Sequence, residues 1–161
     1  MKIIDNALPD NLVKLCNEDI DIKLRQKVWM GNTAWDDCLY DGIVGTCLNA
    51  DLDPKCLLRV RSKLKDFFPQ CNKISYYYHY WTKLSGINWH RDEPYVFGAT
   101  LYLNDWRKEW GGLFLWEESG IKSLCPKKGM LVINKKNQLH SVSTISTSAP
   151  YARRSIQIFG E

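Results

Sequence analysis

The sequence predicts an α+β chain whose main body is an antiparallel β-sandwich or jelly roll, with helices confined to its N-terminal part. Two observations lead there. Apolar residues recur at helical spacing in two stretches, both before Pro69. After Pro69 the pattern changes to short alternating runs separated by glycine and proline turn signals. With 161 residues, the chain has the length of a single domain, 1–161, with helical support over about residues 1–70 and the β core over about 71–161.

Lys2 to Asp5 reads as a short strand. Leu8-Pro9-Asp10 opens the first helix, because proline suits a first turn, and Leu8, Leu12, Val13 and Cys16 follow at helical spacing. Residues 29–52 carry fewer signals. Trp29, Gly31, Gly42 and Gly45 suggest strands around a mobile loop, and Trp35 to Gly42 is either a lid over a pocket or an ordinary surface connection. Asp53 caps a second helix with Pro54 in its first turn. Leu57, Leu58, Val60, Leu64 and Phe67 give that helix its apolar side, and Arg59, Arg61, Lys63 and Lys65 its solvated face. Ile74 to Trp81 alternates as a strand, with Tyr76, Tyr78 and Tyr80 on one face and His79, a structural or surface residue, on the other. Strand-like runs follow at Val96–Leu103, Leu113–Trp116, Met130–Ile133, Gln138–Ile145 and Arg153–Phe159.

Composition narrows the function. Apolar residues make up 45% and charged residues 25%, which excludes disordered, collagenous and coiled-coil chains. Lys plus Arg number 22 against 18 acidic residues, a net +4 without a dense basic run, so a nucleic-acid partner is not expected. No apolar stretch has membrane-spanning length, and acidic residues stand where an export signal needs an apolar run. Cys16, Cys38, Cys47, Cys56, Cys71 and Cys125 form no Cys-x-x-Cys pair or zinc-finger spacing. They read as reduced thiols of a cytoplasmic, monomeric protein, with an extracellular disulfide set as the alternative.

His90-Arg91-Asp92 carries the chemistry. In an extended segment His90 and Asp92 face one way, and His140 opens another strand-like run fifty residues on. Two histidines and one carboxylate can hold one face of an octahedral iron and leave three positions open. A closed structural zinc site would be richer in cysteine. In the last strand Arg153, Ser155 and Gln157 share one face, and Arg154, Ile156 and Ile158 the other. A planar guanidinium is the partner a buried carboxylate needs. Arg153 is the preferred anchor, although a bulge in the strand would exchange it for Arg154.

The order of these pieces resembles the prolyl 4-hydroxylase-like branch of the 2-oxoglutarate- and Fe(II)-dependent dioxygenases: Tyr80, Gly86, His90-Arg-Asp92, Gly98-Ala-Thr-Leu-Tyr102-Leu-Asn, Gly111-Gly112, Pro126 to Gly129, His140-Ser-Val142, and Arg153-Arg-Ser155. The resemblance covers about residues 74–160 and implies a double-stranded β-helix with the metal site between its sheets. It implies His90, Asp92 and His140 as iron ligands, and Arg153 and Ser155 at the cosubstrate carboxylate. Tyr102 is placed beside them, pointing into the barrel, and Tyr80 at the pocket mouth. The implied cofactors are Fe(II), 2-oxoglutarate as cosubstrate and O2, with ascorbate as an auxiliary reductant. The implied reaction is hydroxylation of an unactivated C–H bond, with a proline-containing protein or peptide as substrate.

Two features depart from the family pattern. The gap from His140 to Arg153 is a few residues longer than usual, and Phe159 stands where relatives often carry Trp. Trp106, Trp110 and Trp116 around Gly111-Gly112 are either a peptide platform or core. The rival readings are a hydroxylase of a free amino acid or other small molecule, a zinc or other metal enzyme in a cupin-like barrel, and a noncatalytic jelly-roll binding module.

Overall fold

The computed structural model describes residues 1–31 and 42–161. The segment Trp35 to Asp41, most of the lid expected from the sequence, lies outside them, as does Cys38. Strand β1 (Lys2–Ile4) leads into helix α1 (Asp10–Gln26). Three short strands follow, β2 (Met30–Gly31), β3 (Ile43–Val44) and β4 (Cys47–Asp51), before helix α2 (Pro54–Leu64). The remainder is β5 (Ile74–Trp81), β6 (Gly86–His90), β7 (Phe97–Tyr102), β8 (Phe114–Glu117), β9 (Ile121–Leu124), β10 (Leu131–Ile133), β11 (His140–Val142) and β12 (Arg153–Gly160).

These strands make two antiparallel sheets, the arrangement of a jelly roll. The larger runs β1-β10-β7-β12-β5-β4-β2 and the smaller β3-β6-β11-β8-β9. One face of the larger sheet is covered by the helices. Tyr76, Tyr78, Leu101, Ile156 and Ile158 point to that side and pack with Val13, Cys16, Ile20, Cys56, Val60 and Leu64. The other face looks across the barrel toward the smaller sheet.

Local chemistry explains the helices. Pro9 supplies an extended residue before α1, and Lys27 ends it in the left-handed conformation, its N–H donating to the Leu24 carbonyl. Asp53 caps α2 by accepting from Lys55 N–H at 2.9 Å, with Pro54 behind it in the first turn. Asp19 of α1 accepts from the Asp53 N–H at 2.9 Å, which ties the start of α2 to α1. The buried stripe of α2 is Cys56, Val60 and Leu64, at i, i+4 and i+8. Leu58, expected on the apolar side, is 70% exposed, because it falls about 100° per residue away from that stripe. The Cys16 and Cys56 thiols meet at 3.2 Å beneath Tyr78. No disulfide joins any of the described cysteines.

No helix among the described residues is long and apolar enough to cross a membrane.

Candidate metal and cosubstrate site

Between the sheets lies a cavity of about 370 Å³, open mouth included, with His90, Asp92 and His140 toward one end and Arg153 at the other. His90 ends β6 and His140 begins β11, directly paired across the smaller sheet. Next along the pairing, Val142 opposes Ile87, so three residue steps on β6 match two on β11. This bulge breaks the alternation. Ile87 and His90 both face the cavity, while Asn88 and Trp89 are exposed. Asp92 follows in the turn after the strand, where the Tyr95 N–H donates to its carbonyl.

The three side chains form a donor set. His90 Nε2 lies 3.7 Å from Asp92 Oδ1, and His140 Nε2 3.6 Å from Asp92 Oδ2. One ligand atom from each residue can be taken so that all lie within 4.8 Å of one another. His90 Nδ1–H donates to the Asn88 carbonyl at 2.7 Å, and His140 Nδ1–H to the Gln138 carbonyl at 2.8 Å. Each ring is thereby locked as the tautomer that offers its Nε2 lone pair to the cavity. Burial, reinforced by the neighbouring His140 ring, holds the His90 imidazole below its usual range and so in its neutral, ligating form. Phe114 stacks on His140 at 5.4 Å between centroids and closes that side to water. Gly98 on β7 makes room for the carboxylate: a Cβ at that position would collide with Asp92 Oδ2. Two imidazoles and a carboxylate converging with space on the open side are the donor set of a non-haem iron with free positions, so these residues fit Fe(II).

At the other end the pleat of β12 sends Arg153, Ser155 and Gln157 into the barrel and Arg154 out to the helices. Arg154 donates to Asp21 at 2.8 Å and to Asn17 at 3.1 Å. Arg153 is 2% exposed, donates from Nη1 to the Gly112 carbonyl, and lies over the rings of Trp81 and Tyr102. Ser155 and Tyr102 are direct partners across β12 and β7. Burial pushes the Tyr102 phenol up to about 12, which keeps it a neutral hydroxyl donor. Arg153 Nε, Ser155 Oγ and Tyr102 Oη are all buried without a hydrogen-bond partner among the described residues. Arg153 and Tyr102 line the cavity and Ser155 lies beside Tyr102, and unsatisfied donors grouped in this way fit a carboxylate, because each would otherwise bear the full cost of desolvation.

Tyr80 is corrected. It pairs with Arg154, its ring lies 5.8 Å from that guanidinium and against Trp29, and it packs on the helix-side core. Alternation puts Trp81 rather than Tyr80 in the cavity. His79 is on the inner face as well, 2% exposed, so its structural reading stands and its surface reading does not. Thr100, which donates to Gln157 at 2.9 Å, and Asn134 were not found by sequence reasoning. Thr100 lies inside the Gly98–Asn104 motif without being singled out there, Asn134 belongs to no motif, and the strand pairing brings both inward. Two of the three tryptophans around Gly111 belong to the core, and the third, Trp110, is half-buried edge-on against Trp106. Trp106 and Trp116 are buried in the core, and Trp106 Nε1 is committed to the Gly111 carbonyl at 2.7 Å. Phe159 stacks on Tyr95 with centroids 4.4 Å apart.

Residues 73–160 match the family model described as the 2OG-Fe(II) oxygenase superfamily. More than half of the chain is covered, and the protein belongs to that superfamily of 2-oxoglutarate-dependent dioxygenase enzymes. Among solved structures it resembles a prolyl-4-hydroxylase from Pseudomonas putida (16% identity, TM-score 0.74), covering 99% of this chain and 91% of that one. It also resembles a prolyl hydroxylase from Trichoplax adhaerens in complex with a hypoxia inducible factor oxygen degradation domain peptide (15% identity, TM-score 0.74, 99% and 82% covered). A third likeness is to the viral collagen prolyl hydroxylase of Paramecium bursaria Chlorella virus-1 in complex with 2OG (14% identity, TM-score 0.67, 98% and 93% covered). No curated protein sequence matches the chain significantly.

Proposed function

We propose that the protein hydroxylates an unactivated C–H bond of a prolyl residue in a protein or peptide, using Fe(II), 2-oxoglutarate and O2, with ascorbate as auxiliary reductant. The observation that carries this reading is the polarity of one cavity. One end offers a three-donor set, His90, Asp92 and His140, and the other, where the side chains are at most 2% exposed, holds the unsatisfied donors of Arg153 and Tyr102 with Ser155 beside them. A molecule with a carboxylate at one end and a metal-chelating group at the other satisfies both. Fe(II) and 2-oxoglutarate, when bound, supply the oxygen chemistry: one atom of O2 leaves in succinate as CO2 is lost, and the other enters the substrate as hydroxyl.

The chain's own residues bind, orient and keep the site dry. His90, Asp92 and His140 would hold the metal. Arg153, Ser155 and Tyr102 would take the distal carboxylate, the guanidinium providing charge and the two hydroxyls direction. Trp81, Ile87, Phe114 and Val142 line the cavity and exclude water. The prolyl substrate is supported by the likeness to prolyl hydroxylases, one of them bound to a peptide.

Anaerobic addition of Fe(II) and 2-oxoglutarate to the protein tests the reading. A weak visible charge-transfer band is expected only with both present, decaying on admission of O2 with formation of succinate. A folded protein that gives no band refutes the cofactor assignment. Mass spectrometry of prolyl peptides after turnover should then find a gain of one oxygen. If free proline is modified and no peptide is, the small-molecule reading replaces the peptide one.

A further inference from the structure

We propose that Asn134 is a positioning residue that holds Asp92 as a one-oxygen metal ligand, by engaging Oδ2 and leaving Oδ1 to the metal. This rests on the iron reading above. Asn134 directly follows β10 and is 4% exposed. Its backbone N–H donates to the Gly98 carbonyl at 2.8 Å, which pins the residue to β7. Its carboxamide Nδ2 lies 3.1 Å from Asp92 Oδ2 and 3.2 Å from His140 Nε2. Since the His140 Nδ1 proton is committed to Gln138, His140 Nε2 is an acceptor. That lone pair is the one the metal would take, so the hydrogen bond of Asn134 that persists with metal bound is the one to Asp92 Oδ2.

The opposite side of the same oxygen rests on Gly98, where the missing Cβ leaves it space. Each oxygen has one histidine nearby, Oδ1 with His90 Nε2 at 3.7 Å and Oδ2 with His140 Nε2 at 3.6 Å, but only Oδ2 is seated between a donor and a backbone floor. A carboxylate with one oxygen engaged this way resists rotating both oxygens onto a metal. That matters for the reaction class. Chelation by both oxygens would take one of the three positions that a bidentate keto acid and O2 need together. Hydrogen bonds to ligating groups commonly fix ligand orientation and tune affinity in this way.

Isotope-edited infrared spectroscopy of the parent protein is the first test. The difference spectrum with and without Mn(II), on 13C-aspartate-labelled protein, should show the wide splitting of carboxylate stretches that marks binding through one oxygen. A narrow splitting overturns the proposal and needs no variant. Asn134→Leu, which keeps the volume and removes the donor, is the second test. With a thermal midpoint near the parent's, it should bind Co(II) about 10- to 100-fold more weakly, show an altered Co(II) visible spectrum, and lose most of the spectral response to 2-oxoglutarate. Asn134→Ser, which keeps a hydroxyl donor, should recover part of the affinity. A folded Asn134→Leu protein with parental Co(II) affinity and spectrum overturns this proposal alone. A parent protein that binds no divalent metal overturns the iron reading and this one together.

Discussion

Arg153 and Arg154, neighbours in sequence, stand on opposite faces of β12: one guanidinium is buried in the cavity over Trp81 and Tyr102, and the other reaches α1 to pair with Asp21. The two therefore have separable roles. Arg153→Ala removes the only guanidinium lining the cavity among the described residues. Losing one partner of a buried charged pair costs about 3–5 kcal/mol, so 2-oxoglutarate should bind at least about a hundredfold more weakly. Arg154→Ala breaks a pair whose Asp21 side chain is 46% exposed, worth about 1 kcal/mol or less. It should lower the thermal midpoint by a few degrees and leave cosubstrate affinity unchanged. Isothermal titration with 2-oxoglutarate on metal-loaded variants decides. A larger loss in Arg154→Ala would contradict the strand register.

The helical support makes its own prediction. Leu64 is fully buried at the end of the α2 stripe, whereas Leu58 is 70% exposed on the same helix. Leu64→Ala should destabilise the protein by about 2–5 kcal/mol, through lost burial and a residual cavity. Leu58→Ala should change it by less than about 0.5 kcal/mol. Urea unfolding of the two variants checks both figures, and equal costs would mean that α2 is rotated from the position described.

Much of the site was legible because its chemistry restricts residue type. Few side chains bind iron, few neutralise a buried carboxylate, and spacing within a strand gives their faces. The inward face of β12 followed from alternation in the same way. Tyr80 was misplaced for a physical reason. Strand β5 is buried on both sides, by the helix core and by the cavity, so its aromatic run carries no polar face to tell inside from outside. Strands β6 and β9 were not foreseen as elements. Gly86–His90 holds a bulge that spoils period-2 alternation, and Ile121–Leu124 is an edge strand with a largely exposed pattern. Asn134 could not be found from spacing, since its role arises from a backbone hydrogen bond between β10's end and β7.

His79 gives a pH prediction. Burial, with the Arg153 charge adding to it, holds its imidazole at about 3, against 6.5 when exposed. Between those values the unfolded chain takes up a proton that the folded protein refuses. Stability should therefore fall as pH drops from 6.5 toward 3, and should be insensitive to this group above 6.5. His79→Phe cannot take up that proton, so its stability should decline less steeply in acid, by up to about 1.4 kcal/mol per pH unit. His90 is shifted the same way and leaves part of the slope in place. Urea midpoints at a series of pH values measure the difference. Parallel curves for parent and variant would show that His79 does not stay neutral in the folded state.

Gly98 separates metal binding from folding. It lies within β7 opposite Phe159, in a backbone conformation that alanine adopts readily. Glycine is a poor strand residue, so on backbone grounds alone Gly98→Ala would be neutral or slightly stabilising. What opposes it is the Asp92 carboxylate, whose Oδ2 would collide with the new Cβ. Asp92 has only two side-chain torsions and can yield only by swinging away from the Asn134 amide and from the two histidines. The expected result is a metal-free protein that melts within a few degrees of the parent, yet binds Mn(II) or Co(II) about 10- to 100-fold more weakly, as for loss of an orienting contact around a metal ligand. Calorimetric titration of Co(II) alongside thermal melts distinguishes the two effects. Parental affinity in Gly98→Ala would mean that Asp92 serves the metal from another rotamer, and that the space above Gly98 is not part of its seat.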